Sequence, residues 1–282
     1  MNNVGYYNGK LGAIEEMTIP MNDRVVYFGD GVYDATLVVN MKPFGMEEHY
    51  DRFYNGLKIL RIPFEMTREE LDRELMRVVE AWDSDEPGLL YWQATRGTDY
   101  RHHDFPEAGI KPNLLAMMRP YNMKPQYSRL KLITVEDTRF FHCNVKTLNL
   151  LPNVLASQQV KEAGCDECVF HRGDIVTECA HSNVLILKDG VLKSHAADNL
   201  ILPGITRLYL LRLAEENGIP TDEKGFTVQE MMDADEIIVT ASGLQAHGVD
   251  EIDGKKVGGK APELLKRIQD IYAAEFERQT AK

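Results

Sequence analysis

The chain has 282 residues, of which 44% are hydrophobic and 27% charged, and carries a net charge of −12. That length allows a sizeable core in one large or two ordinary domains, and the acidic balance with scattered basic residues excludes an extended nucleic-acid-binding face. Four cysteines (Cys143, Cys165, Cys168, Cys179) include a single CxxC spacing with no second pair or His tract, so they read as thiols and not as a metal site. No apolar stretch reaches membrane-spanning length, and Met1 to Gly5 has neither a basic nor an apolar leader character, so a cytoplasmic protein is expected.

Val4 to Ile14 reads as a hairpin around the Asn8-Gly9 turn pair. Val32 to Val39 is strand-like and is turned by Asn40-Met41-Lys42-Pro43. Glu47 to Leu60 has the helical period, with Tyr50, Phe53, Tyr54, Leu57 and Leu60 on one side. Thr67 opens a second helix with Glu70 three residues on, the capping-box pattern, and Leu71, Leu75, Val78, Val79 and Trp82 form its apolar stripe. Leu89 to Thr95 and Asn113 to Met118 are strands. The segment Arg119-Pro120-Tyr121-Asn122-Met123-Lys124-Pro125 has two prolines and no period, the signature of a linker. A first domain over 1–120 and a larger one over 121–282 follow.

The second half alternates. Leu130 to Val135, Glu167 to His171, Asn183 to Leu187 and Glu236 to Thr240 read as strands. Pro152 to Ala163 and Ile205 to Asn217 read as helices ended by Gly164 and Gly218. Asp189-Gly190 is a hairpin turn. Pro262 to Phe276 is an amphipathic helix with Leu265, Ile268, Ile271, Tyr272 and Phe276 together. The fold class is α+β in two domains, with ligands expected in the interdomain cleft.

Lys146 stands in the run Asp137-Thr138-Arg139-Phe140-Phe141-His142-Cys143-Asn144-Val145-Lys146-Thr147-Leu148-Asn149, among apolar and small polar neighbours with no adjoining acid. A lone lysine ordinarily snorkels to solvent. A partly buried one loses some of its preference for charge, and its neutral amine forms a Schiff base with a carbonyl. Some thirty residues on, Val176-Thr177-Glu178 offers a carboxylate for the ring nitrogen of pyridoxal phosphate. Gly204-Ile205-Thr206-Arg207 opens a helix, where backbone N–H groups and a hydroxyl suit a phosphate. Thr240-Ala241-Ser242-Gly243 ends a buried strand with further hydroxyls. Arg52 lies on the first long helix. The loop Arg96-Gly97-Thr98-Asp99-Tyr100-Arg101-His102-His103 gathers arginines and histidines that suit a carboxylate. Hydrolase, Rossmann and P-loop motifs are absent.

In this order, these segments resemble the fold-type IV family of pyridoxal-phosphate-dependent enzymes. The resemblance runs from Tyr7-Asn8-Gly9 to Ile252-Asp253-Gly254. It is carried most strongly by Phe28-Gly29-Asp30-Gly31-Val32-Tyr33, Glu48-His49-Tyr50-Asp51-Arg52 and Gln93-Ala94-Thr95-Arg96-Gly97 through Arg101-His102-His103-Asp104-Phe105-Pro106, and then by Lys146-Thr147-Leu148-Asn149-Leu150-Leu151, Val176-Thr177-Glu178, Ser182-Asn183-Val184 and Gly204-Ile205-Thr206-Arg207. Within that family it is similar to the enzymes that transaminate D-amino acids. The resemblance implies a ping-pong aminotransferase in which Lys146 holds the cofactor and moves the substrate proton. It implies that Glu178 pairs with the ring nitrogen, that Leu202 lies against the ring, and that Arg52, Ile205, Thr206 and Ser242 hold the phosphate. Tyr33, Arg101 and His103 are then the trap for the substrate carboxylate. In the family the last two reach in from a neighbouring subunit, so a homodimer is implied. The partners are amino acids and 2-oxo acids, with no nucleic acid, membrane or metal.

Branched-chain and (R)-amine transaminases and aminodeoxychorismate lyase share the fold, and an inactive cofactor-binding protein would share the lysine. The Arg-x-His spacing favours the D-amino-acid enzymes and selects His103 from the doubled His102-His103. Cys179-Ala180-His181 departs from the small serines usual after the glutamate, which would reshape the pocket beside the cofactor. The preferred D-amino acid is not legible.

Overall fold

A computed structural model describes residues 3–282; Met1 and Asn2, part of the stretch read for a leader, lie outside them. The chain divides into two compact units, Met1–Asn122 with Val145–Asn149 and Gln279–Lys282, and Met123–Asn144 with Leu150–Arg278.

The first unit is built on one six-stranded sheet. Its elements are β1 (Val4–Tyr7), β2 (Lys10–Gly12), α1 (Arg24–Phe28), β3 (Gly31–Val39), β4 (Lys42–Pro43), α2 (Met46–Ile59), α3 (Arg68–Glu80), β5 (Gly88–Thr95) and β6 (Asn113–Pro120). The strand order is β2-β1-β6-β5-β3-β4, and all pairings are antiparallel. The expected hairpin forms with Tyr7 opposite Lys10, and Asn8 and Gly9 take the positive φ that a tight two-residue turn needs. Thr67 and Glu70 exchange both bonds of the capping box. The stripes of α2 and α3 then meet the sheet: Tyr50, Phe53, Leu57, Leu71, Leu75, Val78, Val79 and Trp82 pack with Val32, Leu90, Trp92 and Met118. Burying such side chains contributes roughly 1.5–3 kcal/mol each.

Gly31 is required by contact. A Cβ there would meet the Ala94 carbonyl at 2.5 Å and a Leu148 methyl at 2.8 Å. The Ala94 carbonyl belongs to β5, and Leu148 to the Val145–Asn149 segment, which lies against β3 as a short extra strand. Val32 bridges Thr147, and the Tyr33 amide donates to the Lys146 carbonyl at 2.9 Å. Lys146 was expected in the domain over 121–282; this main-chain pairing places it in the first unit. The C-terminus does the same, with the Gln279 Oε1, the Thr280 carbonyl and the Ala281 carbonyl accepting from Gly45, Asn40 and Lys42.

The second unit carries β7 (Arg129–Glu136), α4 (Leu151–Glu162), β8 (Glu167–Arg172), β9 (Ile175–Cys179), β10 (Asn183–Lys188), β11 (Val191–Ser194), α5 (Ile205–Glu216), β12 (Thr221–Asp222), α6 (Val228–Met232), β13 (Glu236–Ala241), β14 (Gln245–Ile252), β15 (Lys255–Lys256) and most of α7 (Pro262–Thr280). Its mixed sheet runs β12-β11-β10-β13-β14-β7-β8-β9, with β15 on β14. The pairs β14·β7, β7·β8 and β11·β12 are parallel. Strands β9, β12, β14 and β15 and helices α1 and α6 were not read from the sequence, and Lys42 and Pro43, read as part of a turn, pair with β3 as β4. Among the described residues, no helix is long and apolar enough to cross a membrane.

Candidate active site

In the first unit, Lys146 is half-buried between the buried Val145 and Thr147. Its ammonium sits 4.3 Å from the centre of the Tyr33 ring, whose other neighbour is the stacked ring of Tyr91 at 5.4 Å. The aromatic face attracts the cation and keeps the amine at one height above the sheet. Strand alternation turns the next residue, Asp34, to the opposite face. There Asp34 is fully buried and meets α2. His49 Nδ1 lies 2.7 Å from Asp34 Oδ1, and Arg52 donates through Nη2 to Oδ1 at 2.6 Å and through Nε to Oδ2 at 3.0 Å. Burial alone would raise the Asp34 pKa, but the Arg52 and His49 charges outweigh it, and the carboxyl is held well below the usual range. The His49 pKa falls below its ordinary value, mainly because burial disfavours the imidazolium, with the Arg52 and Lys146 charges adding to that. Arg52, a predicted phosphate ligand, thus has a fixed direction.

The loop with Arg101 and His103 meets α1. The Phe28 ring lies 5.2 Å from the Arg101 guanidinium carbon and 5.3 Å from the His103 ring. The two predicted carboxylate ligands therefore share one aromatic surface. Tyr33, the third, stands with Lys146.

The second unit holds Glu178, Leu202, Ile205, Thr206 and Ser242. Glu178 is buried on β9 and accepts from three donors: Arg139 Nη1, Asn183 Nδ2 at 2.9 Å and the Leu202 amide at 3.0 Å. Asn183 Nδ2 also reaches the Leu202 carbonyl at 3.0 Å, so one amide side chain ties the glutamate to the Leu202 turn. Gly204 makes this possible: a Cβ there would fall 1.9 Å from Asn183 Oδ1. Arg139 is itself buried and bonds both oxygens of Asp137, at 3.0 and 2.9 Å, over the Phe170 ring. Burial works against its charge, but Asp137 and Glu178 raise its pKa. Gly204 caps α5 without a side chain, leaving the first amides of the helix, at Ile205 and Thr206, without an N-cap acceptor. Thr206 Oγ1 is 3.4 Å from the Tyr272 hydroxyl. Ser242 is half-buried in the turn closed by Ala241 and Gln245. A ring with a basic nitrogen and a phosphate suits this donor set: one carboxylate for the nitrogen, and amides and hydroxyls for the anion.

Arg207, next to the predicted ligands, is occupied elsewhere, donating to Ser194, to the His195 carbonyl and to Glu223. The departure at Cys179-Ala180-His181 also has a structural answer. Cys179 and Ala180 are buried, and His181 pairs with the buried Glu167, which also accepts from Ser182 Oγ at 2.8 Å. Residue-by-residue reading missed Asp34, His49, Arg139, Asn183 and Phe28. The available signal was polarity out of place: Asp34 within an apolar strand, His49 three residues before Arg52, and Arg139 two residues after an aspartate.

A model of the family described as amino-transferase class IV matches residues 31–252. A D-alanine aminotransferase of Listeria monocytogenes is 38% identical over 279 residues, covering 96% of this chain and 95% of its own. One from Staphylococcus aureus is 36% identical over 275 residues, covering 96% and 97%. Among solved structures, the branched-chain amino acid aminotransferase of Escherichia coli superposes with a TM-score of 0.88 at 21% identity, covering 100% of this chain and 97% of that one. A hypothetical aminotransferase of Mycobacterium tuberculosis in its PLP-bound form gives 0.85 at 19%, covering 97% and 98%. These structures share the fold.

The buried Asp34–His49–Arg52 group predicts an acid limb in stability. A lowered histidine pKa means that the folded chain binds fewer protons than the unfolded one once the pH drops below about 6.5, so stability falls from there downward. The Asp34 contribution is present above the unfolded carboxylate pKa of about 4 and is lost as the pH falls through its lower folded value. Urea midpoints across this range should decline with acid, and His49→Gln should flatten the decline between about pH 5 and 6.5. Asp34→Ala should cost on the order of 3 kcal/mol at neutral pH, because a buried guanidinium loses its carboxylate. An unchanged profile in His49→Gln would remove His49 from this role.

Proposed function

The chain belongs to the class IV aminotransferases, and on that footing we propose that it exchanges amino groups between D-amino acids and 2-oxo acids, with D-alanine and 2-oxoglutarate giving pyruvate and D-glutamate as the type reaction. The observation that carries the substrate class is the shared seat of Arg101 and His103 on Phe28, in a chain that matches D-alanine aminotransferases over nearly its whole length. A guanidinium and an imidazole side by side are a carboxylate receptor.

Pyridoxal phosphate is the cofactor, and when bound it supplies an electron sink for the substrate's Cα–H electrons. The residues present fit it. Glu178 accepts from the ring nitrogen and keeps it protonated. Arg139 and Asn183 hold the glutamate in place for that contact. The Ile205 and Thr206 amides, the Thr206 and Ser242 hydroxyls and the Arg52 guanidinium take the phosphate, and Leu202 packs on the ring. Lys146 tethers the cofactor between turnovers. Once substrate had displaced it, the freed amine would take up the proton from the substrate's Cα. Its seat over Tyr33 limits the swing of that amine. The ping-pong order follows, since the first product must leave before the acceptor binds.

We also propose a homodimer in the cytosol. Large apolar side chains are exposed on α4 and the segment before Lys146, at Phe141, Leu151, Val154 and Leu155, which supports burial against a second copy. All four cysteines are free thiols, which supports a reducing compartment.

Borohydride reduction of the holoenzyme followed by peptide mapping should place the label on Lys146; a label on another lysine overturns the assignment. A panel of D- and L-amino acids with pyruvate and 2-oxoglutarate should show turnover on the D side, and preference for L-leucine or L-valine overturns the substrate class. Glu178→Gln should retain cofactor and lose transamination by several powers of ten, since a neutral amide cannot hold the ring nitrogen protonated. Arg101→Ala should lower kcat/KM for D-alanine by roughly one to two powers of ten, the loss of one charge-assisted contact, with the cofactor's visible band unchanged.

A further inference from the structure

Phe28 carries more than the two side chains of the carboxylate trap. Its ring faces not only Arg101 and His103 but also Arg24, whose guanidinium carbon lies 4.9 Å from the ring centre. Arg24 is buried and committed. Its Nε donates to Asp30 Oδ2 at 2.8 Å, and its Nη1 donates to the His102 carbonyl at 2.8 Å. That carbonyl lies between the two predicted ligands in sequence. Asp30 also accepts from Arg96 Nε, at 2.8 and 3.0 Å, and the Arg96 guanidinium lies 3.9 Å from the Phe105 ring centre. One carboxylate therefore anchors two arginines, and each arginine grips the loop, one at His102 and one at Phe105.

The loop needs such anchorage. Arg101, His102 and His103 are all exposed, and an exposed arginine has many rotamers to lose on binding. A receptor that must order itself gives up part of its affinity. The aromatic face narrows both side chains to one surface, and the Arg24 bond fixes the peptide between them. Asp30 offsets the Arg24 charge, so a second guanidinium can settle on the same ring without facing an unpaired cation.

We propose that Phe28, backed by Arg24 and Asp30, is a positioning residue that sets the preference for carboxylate-bearing substrates. This rests on the reading of Arg101 and His103 as the carboxylate trap. Phe28 touches neither substrate nor cofactor in this scheme; it acts through the side chains it carries.

The test separates the platform from the trap. The holoenzyme's visible band is titrated with 2-methylalanine, which has an amine and a carboxylate but no Cα hydrogen, and with 2-propylamine, which lacks the carboxylate. Phe28→Leu should weaken 2-methylalanine about ten-fold and leave 2-propylamine within about two-fold, because the aromatic face that preorders a charged contact is lost while the position stays apolar. Phe28→Tyr, which keeps the aromatic face, should restore the wild-type value. For D-alanine, KM should rise more than kcat falls. Should Phe28→Leu not give folded holoenzyme, Phe28→Met supplies the same comparison. Arg101→Ala is run alongside. If it weakens 2-methylalanine while Phe28→Leu behaves as wild type, the platform is refuted and the trap stands. If Arg101→Ala changes neither titration, the trap reading fails first, and the proposal falls with it. Equal weakening of both amines in Phe28→Leu, or no rescue by tyrosine, marks a merely structural role and also overturns it.

Discussion

The hydrogen bond from the Tyr33 amide to the Lys146 carbonyl decides where the central lysine stands. It belongs to a two-residue patch of pairing in which Val32 also bridges Thr147. Through it, five residues from the middle of the sequence become an edge of the first unit. Three consequences follow from that one contact. The lysine amine is set over an aromatic ring of the same strand. The Leu148 side chain that arrives with the segment closes in beside Gly31, where the Ala94 carbonyl already excludes a Cβ. And Asp34, one residue beyond Tyr33, is turned by strand alternation to the other face, where it meets His49 and Arg52. A lysine, a ring, a carboxylate and an arginine are thus ordered by two adjacent positions of β3.

A second regularity is that four arginines, Arg24, Arg52, Arg96 and Arg139, are held by carboxylates, and each carboxylate aims what it holds. Asp34 aims Arg52, Asp30 aims Arg24 and Arg96, and Asp137 aims Arg139. A buried ion pair is not in general a source of stability, since desolvating the charges offsets their attraction. Its worth here lies in direction: a guanidinium with two donors fixed on a carboxylate presents its remaining donors along one line. For Arg139 that line ends on Glu178. The surplus of acids over bases in the chain fits such a construction, in which basic groups are spent in pairs and not spread over a binding face.

Much of this was legible in the sequence. Periodicity located α2, α3 and α7 to within a few residues, because each buries one continuous stripe, and the Thr67 capping box formed as read. Turn chemistry located the Asn8-Gly9 and Asp189-Gly190 hairpins. Strand β14 escaped because Ala246-His247-Gly248 offers neither alternation nor a β-branched run, and its place in the sheet is set by pairing with β13 and β7. Strand β9 escaped because its residues were read as a motif. Short elements such as α1 have no period to detect. The site was legible where one residue carries the chemistry, as with Lys146 and Glu178. It was illegible where the role is to hold another side chain, because nothing in the spacing of Asp34 and Arg52, or of Arg24 and His102, records that they touch.

The Cys179-Ala180-His181 departure shows how such a chain absorbs change beside its site. A histidine in a turn between the strands bearing Glu178 and Asn183 would disturb both if it pointed along them. Instead it pairs with Glu167 on β8, a buried carboxylate whose pKa burial would raise and whose contacts, His181 first among them, bring it below the ordinary range. Ser182 adds its hydroxyl to the same carboxylate, and Asn153 on α4 holds the Ala180 carbonyl at 2.6 Å. The turn is therefore held by Glu167 and Asn153. Glu178 is ordered by Arg139, the Leu202 amide and the Asn183 amide, the last of which needs the space that Gly204 leaves. Glu178 is thus tied to Arg139, Asn183 and Leu202, while the turn that follows it is tied to Glu167 and Asn153.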